Sequence, residues 1–268
     1  TGLAFHVMFF TSYLLENGID PKSFNIKSLG ITGRYTSKHW RAFLGDAWGA
    51  EVYDRLSMTE IIGGATRLGN SDLFVVDPHV FPEVVKPNGN AEADSGVGSL
   101  VYTNLYPFVQ QQPLVRYRTG DLIRCLKKSP FMFEYLGREQ NCVGYDDGTT
   151  YRWLLFSAPL NEILSPLPDI GMYEVFGAVN ITRDRSVGAL PLIKTHWHEN
   201  KELCLEIELK YSPHLYPERI NYLREYLGTE LRKVRNTCLA KDLESGRVNL
   251  TINFVGPDSL ADERTLKV

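Results

Sequence analysis

The spacing of apolar residues changes period twice along this chain, and that limits the architecture more than any single motif. Over residues 3–16, Phe5, Phe9 and Tyr13, with Met8 and Leu15 on the neighbouring stripe, recur at helical spacing. Asn17-Gly18 supplies a stop, because glycine adopts the left-handed cap without a Cβ clash. Asp20-Pro21 opens a turn, and residues 26–31 read as a buried strand. Thr36 or Ser37 can cap a second helix that carries Trp40, Phe43, Leu44 and Trp48 and ends at Gly49, with a short strand over 51–54 beyond it. Helix alternating with strand predicts an α/β layer on a largely parallel sheet.

From 72 to 118 the pattern shifts to short strand-like runs, at 72–77, 80–85, 98–103 and 114–118. Pro, Gly, Asn and Asp turns separate them, and 86–98 has the composition of a polar hairpin loop. After Arg138 the pattern resets. Strand candidates lie at 175–181, 203–209 and 248–255. Between the last two, Ile220, Leu223, Leu227, Leu231 and Val234 mark the strongest helix, with Pro217 and Glu218 at its start. The expected fold class is α/β with a β-rich subdomain, followed by a small α+β C-terminal domain. The expected boundary divides the chain into 1–138 and 139–268.

Composition excludes several classes. Hydrophobic residues at 43% and charged residues at 23% exclude a disordered chain, because enough apolar surface exists to offset the ordering entropy. A net charge of −3, from 29 basic and 32 acidic residues, argues against a nucleic-acid partner. The sequence lacks the 18 or so consecutive apolar residues that a membrane span needs. Cys125, Cys142, Cys204 and Cys238 are widely spaced, which predicts reduced, buried thiols and a cytoplasmic setting. The chain opens at Thr1 without a signal-peptide pattern, so an internal start is expected.

Four constellations can carry chemistry. In Tyr53-Asp54-Arg55-Leu56-Ser57-Met58-Thr59-Glu60, a strand ends in a polar turn followed by Gly63-Gly64. Ligands of open α/β sheets sit at such carboxyl ends. There a Thr hydroxyl can donate to a phosphate and a Glu can hold Mg²⁺. The same residues can equally cap a helix. In the segment from Pro113 to Leu122, Arg116, Arg118 and Asp121 cluster near a glycine. An ionised Asp121 suits the two hydroxyls of a ribose, or else it is ion-paired at a strand end. Arg138 can stack on a nucleotide or pair with phosphate, or lie on the surface of a linker. His196 and His198 share one strand face and could bind metal, although no third ligand is near in sequence.

Taken in order, these segments resemble the phenylacetate–coenzyme A ligase branch of the adenylate-forming enzymes. Asp54-Arg55-Leu56-Ser57-Met58-Thr59-Glu60 is similar to that family's Asp-x-Tyr-Gly-x-Thr-Glu. The run from Gly98 to Leu105 resembles Gly-Glu-Leu-Val-x-Thr-x-Leu, and that from Pro113 to Leu122 resembles Pro-Leu-x-Arg-Tyr-x-Thr-Gly-Asp-Leu. Leu136-Gly137-Arg138 matches the hinge segment. The resemblance implies ATP-dependent activation of a carboxylic acid, expected to be aromatic, as an acyl-AMP. Coenzyme A is the implied acceptor. A non-CoA acceptor in antibiotic or aryl-metabolite biosynthesis, and a non-catalytic nucleotide or aryl-acid binder, stand as alternatives.

The implied cofactors are ATP/AMP, Mg²⁺ and coenzyme A, and the implied partner is a small carboxylic acid, with a homodimer left open. By position Asp121 would hold the ribose, Thr59 the α-phosphate, and Glu60 the Mg²⁺. Arg138 would lie near ribose or phosphate, and Gly33, Arg34, Tyr53 and Asp54 would line the adenine pocket. Leu56, Ser57, Gly63 and Gly64 would line the acyl pocket.

The departures from the pattern are local. Leu56-Ser57 replaces Tyr-Gly, and Glu139-Gln140-Asn141 replaces acidic hinge residues. The family's late catalytic Lys falls, in strict register, on Arg264, with Lys267 as a shifted candidate. Its phosphate loop is expected upstream of Thr1, so residues 1–268 alone are expected to be inactive.

Overall fold

The computed structural model describes residues 1–87, 89, 91–93, 96–111, 113–173, 175–176, 179–180 and 190–260. The chain divides into two compact units, Thr1–Glu139 and Gln140–Val268.

The first unit begins with β1 (Gly2–Leu3) and α1 (Ala4–Glu16), followed by β2 (Ser28–Thr32), α2 (Lys38–Trp48) and β3 (Glu51–Leu56). Then come β4 (Ala65–Leu68), β5 (Leu73–Val76), β6 (Val80–Val85), β7 (Val97–Asn104), β8 (Tyr117–Lys128) and β9 (Phe131–Arg138). The buried face of α1 is Ala4, Phe5, Met8, Thr11, Ser12 and Leu14, whereas Tyr13 and Leu15 are exposed. The working stripe is therefore rotated from the aromatic one. Thr11 joins it because its hydroxyl accepts from Trp48 Nε1 at 2.8 Å, which ties α1 to α2. Ser37 caps α2 by accepting from the Trp40 amide, and Gly49 closes it at φ +60°. The buried face of α2 carries Arg41 with Leu44 and Trp48.

All nine strands form one hydrogen-bonded sheet in the order β1-β2-β3-β4-β5-β9-β8-β7-β6. β1, β2 and β3 pair in parallel, and each later pairing is antiparallel. The expected largely parallel sheet is thus confined to three strands, and the β-rich part continues it edge to edge. The strand expected at 114–118 starts only at Tyr117, since Arg116 takes φ +52° and breaks the extended run. It continues for 12 residues through Gly120 and Asp121. Phe74, Leu100, Tyr102, Ile123 and Phe133 form the core on one face of this antiparallel part.

The second unit contains β10 (Val143–Asp146), β11 (Tyr151–Leu155) and α3 (Ser157–Leu164). Four two-residue strands follow, β12 (Met172–Tyr173), β13 (Val175–Phe176), β14 (Val179–Asn180) and β15 (Leu190–Pro191). The strand expected at 175–181 falls partly outside the described residues. β16 (Ile193–His198), β17 (Glu202–Glu208), α4 (Pro217–Lys233), α5 (Leu239–Glu244) and β18 (Asn249–Val255) complete the unit. β17 pairs antiparallel with β16 and parallel with β18, so α4 and α5 belong to the crossover that a parallel pair requires. Leu223, Leu227 and Leu231 of α4 pack with Leu203, Leu205, Ile207 and Ile252. Two buried aspartates fasten the periphery. Asp169 accepts from Tyr211 and Arg219, and Asp242 accepts from Tyr145 and Arg152. The four cysteines carry thiols rather than disulfides, and each is partly exposed rather than buried as expected.

Candidate functional site

The site grows from a cross-strand pair. Register places Asp121 of β8 directly opposite Arg138 of β9, with a bulge next to Leu122. Arg138 Nη1 donates to the Thr119 carbonyl at 2.6 Å and lies 3.3 Å from Asp121 Oδ1. The Tyr135 hydroxyl donates to the same Oδ1 at 3.2 Å, and the Asp121 amide donates to the Thr119 hydroxyl at 3.1 Å. Gly120 sits at φ +76°, where a Cβ would meet Arg138 Nη1 at 3.4 Å, so glycine lets the guanidinium lie close over the strand. The Asp121 side chain is 3% exposed and that of Arg138 is 48% exposed. Burial raises the Asp121 carboxyl above its ordinary range, while Arg138, Tyr135 and Thr119 pull it back. The ion pair expected at a strand end lies instead inside a strand.

Residues 57–64 connect β3 to β4 and run into a strand, so Thr59 and Glu60 cap no helix. The Ser57 and Thr32 hydroxyls are hydrogen-bonded at 2.8 Å, joining the carboxyl ends of β3 and β2. Thr59 and Glu60 are exposed, and the Thr59 hydroxyl donates to Glu60 Oε2 at 3.4 Å. Tyr117 links this loop to the cross-strand pair. Burial and then its hydrogen-bonded neighbour Glu60 raise its hydroxyl, with Arg138 and Asp121 also acting on it. Glu60, Tyr117, Arg138 and Asp121 therefore belong to one electrostatic group.

Gly63 and Gly64 serve the backbone of this loop. Gly64 sits at φ +148°, and a Cβ there would lie 2.1 Å from the Leu56 carbonyl. We expect Gly64→Ala to cost about 2 kcal/mol in stability, as other residues forced into such a conformation do. A chemical denaturation curve checks this, and an unchanged midpoint would contradict it.

Adjacent residues on a strand point to opposite faces, so Tyr53 and Asp54 cannot line one pocket together. The Tyr53 hydroxyl donates to Glu51 at 3.0 Å. Asp54 points inward, where register sets it opposite Arg67 of β4. Arg67 donates to Asp54 Oδ2 from Nε at 3.0 Å and from Nη2 at 2.7 Å, with both side chains 2% exposed or less. Burial works against the Arg67 charge, and Asp54 and Tyr35 more than restore it. Asp54 is thus engaged in an internal ion pair with Arg67.

Gly33, at φ +95°, turns the chain after β2 where a Cβ would strike Leu3 at 2.7 Å. The Arg34 guanidinium lies 5.9 Å from the Phe5 ring centroid, and burial lowers its pKa to about 10. Arg264 and Lys267 lie outside the described residues. His196 and His198 stack at 6.1 Å on β16, and among the described residues no group of three His, Cys, Asp or Glu side chains could hold a metal ion.

Sequence reasoning missed Tyr35, Arg67 and Tyr135. Tyr135 could have been found only through the register that brings β9 beside Asp121.

No family model and no curated protein matches this chain. Solved structures do. An open conformation of 2-hydroxyisobutyryl-CoA ligase, in complex with 2-HIB-AMP and CoA, matches with a TM-score of 0.62 at 18% identity, over 97% of this chain and 52% of that one. A benzoate CoA ligase from Burkholderia xenovorans LB400 matches with a TM-score of 0.54 at 15% identity, over 90% of this chain and 44% of that one. The amide bond synthetase McbA from Marinactinospora thermotolerans matches with a TM-score of 0.52 at 12% identity, over 87% and 45%. At such identities the likeness is one of fold. The chain has a mixed α/β architecture and spans about half the length of the chains it matches. No helix among the described residues is long and apolar enough to cross a membrane.

Proposed function

We propose that this chain serves the ATP-dependent activation of a carboxylic acid, as part of a phenylacetate–CoA ligase-like acid–thiol ligase. The acid is aromatic and coenzyme A is the acceptor. The observation that carries this reading is the cross-strand pair of buried Asp121 and half-exposed Arg138, with the Tyr135 hydroxyl on the same carboxylate oxygen. The shared fold with ligases bound to an acyl-AMP supports it.

In this reading Asp121 accepts from the ribose hydroxyls, and Arg138, half exposed beside it, offers its remaining N–H groups to ribose or phosphate. The exposed Thr59 hydroxyl donates to the α-phosphate. Glu60 offers one exposed carboxylate, which fits an ion such as Mg²⁺ that keeps several waters and takes its other ligands from substrate phosphates. Such an ion would neutralise charge between the two reacting anions. Leu56, Ser57 and the loop to Gly64 border the acyl group. Arg264 or Lys267 supplies the late cation. The second unit acts as a mobile lid, turning about residues 138–141 between the two half-reactions.

An amine acceptor is the second reading, favoured by the amide bond synthetase among the matched folds.

The deciding experiment is acid-dependent exchange of pyrophosphate into ATP by the full protein, screened over aryl and aliphatic acids. Exchange with an aryl acid, followed by CoA thioester formation, is expected. ATP binding without exchange under any acid would overturn the enzyme reading. Only ionised Asp121 accepts from both ribose hydroxyls, so ATP affinity should fall as pH drops through its raised pKa, above the ordinary value of about 3.9. Titrating ATP affinity from pH 7 downward checks this, with Asp121→Asn expected to lack the transition.

A further inference from the structure

We infer that Tyr35 is a positioning residue that sets the orientation of the Asp121 carboxylate through the ring of Tyr135. Its consequence for ATP rests on the proposed nucleotide site, whereas the geometry does not.

Arg67 of β4 and Tyr135 of β9 both pack on the Tyr35 ring. Behind it, Arg67 Nη2 donates to the Thr36 carbonyl at 2.6 Å and Arg41 Nη1 donates to the same oxygen at 2.7 Å. Two buried guanidinium groups on one carbonyl fix the backbone next to Tyr35. Arg67 also places its guanidinium 4.6 Å from the Tyr35 ring centroid and 4.7 Å from that of Phe74. The Tyr35 hydroxyl is hydrogen-bonded to Arg67. In front, Tyr35 stacks on Tyr135 at 5.5 Å with an 18° interplanar angle. Phe74 meets Tyr135 edge-on at 6.4 Å. Tyr135 is thus held by Tyr35 and Phe74 with its hydroxyl 3.2 Å from Asp121 Oδ1. A ring without that support has other rotamers open to it, and the hydroxyl leaves the carboxylate when it takes them.

Arg67 is a poor place to test this, since its removal strands Asp54 in the interior. Tyr35 is partly exposed and tolerates replacement better. Tyr35→Leu removes the stack, and Tyr35→Phe keeps it. The first readout is the Asp121 titration, followed by carboxylate ¹³C NMR in the full protein. With the Tyr135 hydrogen bond to the charged form lost, Tyr35→Leu should titrate higher than wild type and Tyr35→Phe should stay near it. An unchanged Asp121 midpoint in a folded Tyr35→Leu variant overturns the inference, whatever the protein does with ATP.

The second readout is the KM for ATP. Tyr35→Leu should raise it about tenfold, the effect of one misplaced bond to a charged group, and leave kcat and the acid KM within about twofold. A purely structural role would lower the active fraction, and so kcat, without moving KM. In an Asp121→Ala background, which leaves no carboxylate to orient, Tyr35→Leu should add nothing, and fully multiplicative effects would overturn the inference. Absence of exchange in the wild type would defeat the proposed function alone, because the titration still stands.

Discussion

With Asp121 on the ribose as proposed, Asp121→Ala should lower kcat/KM for ATP by about 100-fold in the full protein and leave the fold nearly intact. In the proposed site two ribose hydroxyls would lose a charged acceptor, at about 1.5 kcal/mol or more each. Stability should change little, by about 1 kcal/mol, because the pair is open on one side. Arg138 is 48% exposed and can turn its guanidinium to water while keeping its bond to the Thr119 carbonyl. Tyr135 keeps its ring contacts with Tyr35 and Phe74. Asp121→Asn retains one acceptor and loses the charge, so its defect should lie between wild type and Asp121→Ala. Pyrophosphate exchange at varied ATP, together with a thermal melt, separates the two effects. An unchanged KM for ATP in a wild-type-like protein would remove Asp121 from the nucleotide site and leave it an internal ion pair.

What could be read beforehand follows from how local each signal is. The α2 helix has Ser37 and Gly49 at its ends, and α4 has Pro217 in its first turn with leucines at helical spacing, so both were legible. The strand β4 was not, since four residues carrying Arg67 between Gly64 and Gly69 show no apolar alternation. The site divides in the same way. Asp121 and Arg138 were visible as residue types, but their meeting depends on the pairing of β8 with β9 and on the bulge between them. Asp54 was expected at adenine because the register that faces it with Arg67 is equally hidden in the sequence. A carboxylate on a short strand resembles a ligand until register places an arginine opposite. Arg41 shows how far propensity misleads, because a charged residue inside an aromatic-rich helix takes the most buried face once backbone carbonyls satisfy its donors.

Asp54→Ala should behave as the opposite of Asp121→Ala, with a large loss of stability and little specific loss of nucleotide affinity. Both partners of the Asp54–Arg67 pair are 2% exposed or less. Removing one charge leaves the other in a medium that cannot solvate it, and breaking a buried pair from one side costs about 3–5 kcal/mol. For a chain of this size that lowers Tm by about 10 °C. Arg67 cannot escape by rotation, because Nη2 is bonded to the Thr36 carbonyl and its face lies between Tyr35 and Phe74. Asp54→Asn should lose less, since an amide oxygen still accepts from Nε. The informative comparison is the KM for ATP of whatever folded Asp54→Asn remains at low temperature. If Asp54 reads adenine, KM rises steeply while Tm barely moves. If it holds Arg67 in place, Tm falls and KM rises only as far as the Tyr35 turn relaxes, which keeps the change well below that of Asp121→Ala. The two aspartates have the same chemistry and the same cross-strand arrangement. They differ in the exposure of the partner arginine, and in the proposed site that difference lets the Asp121–Arg138 pair, rather than the Asp54–Arg67 pair, open to a ligand.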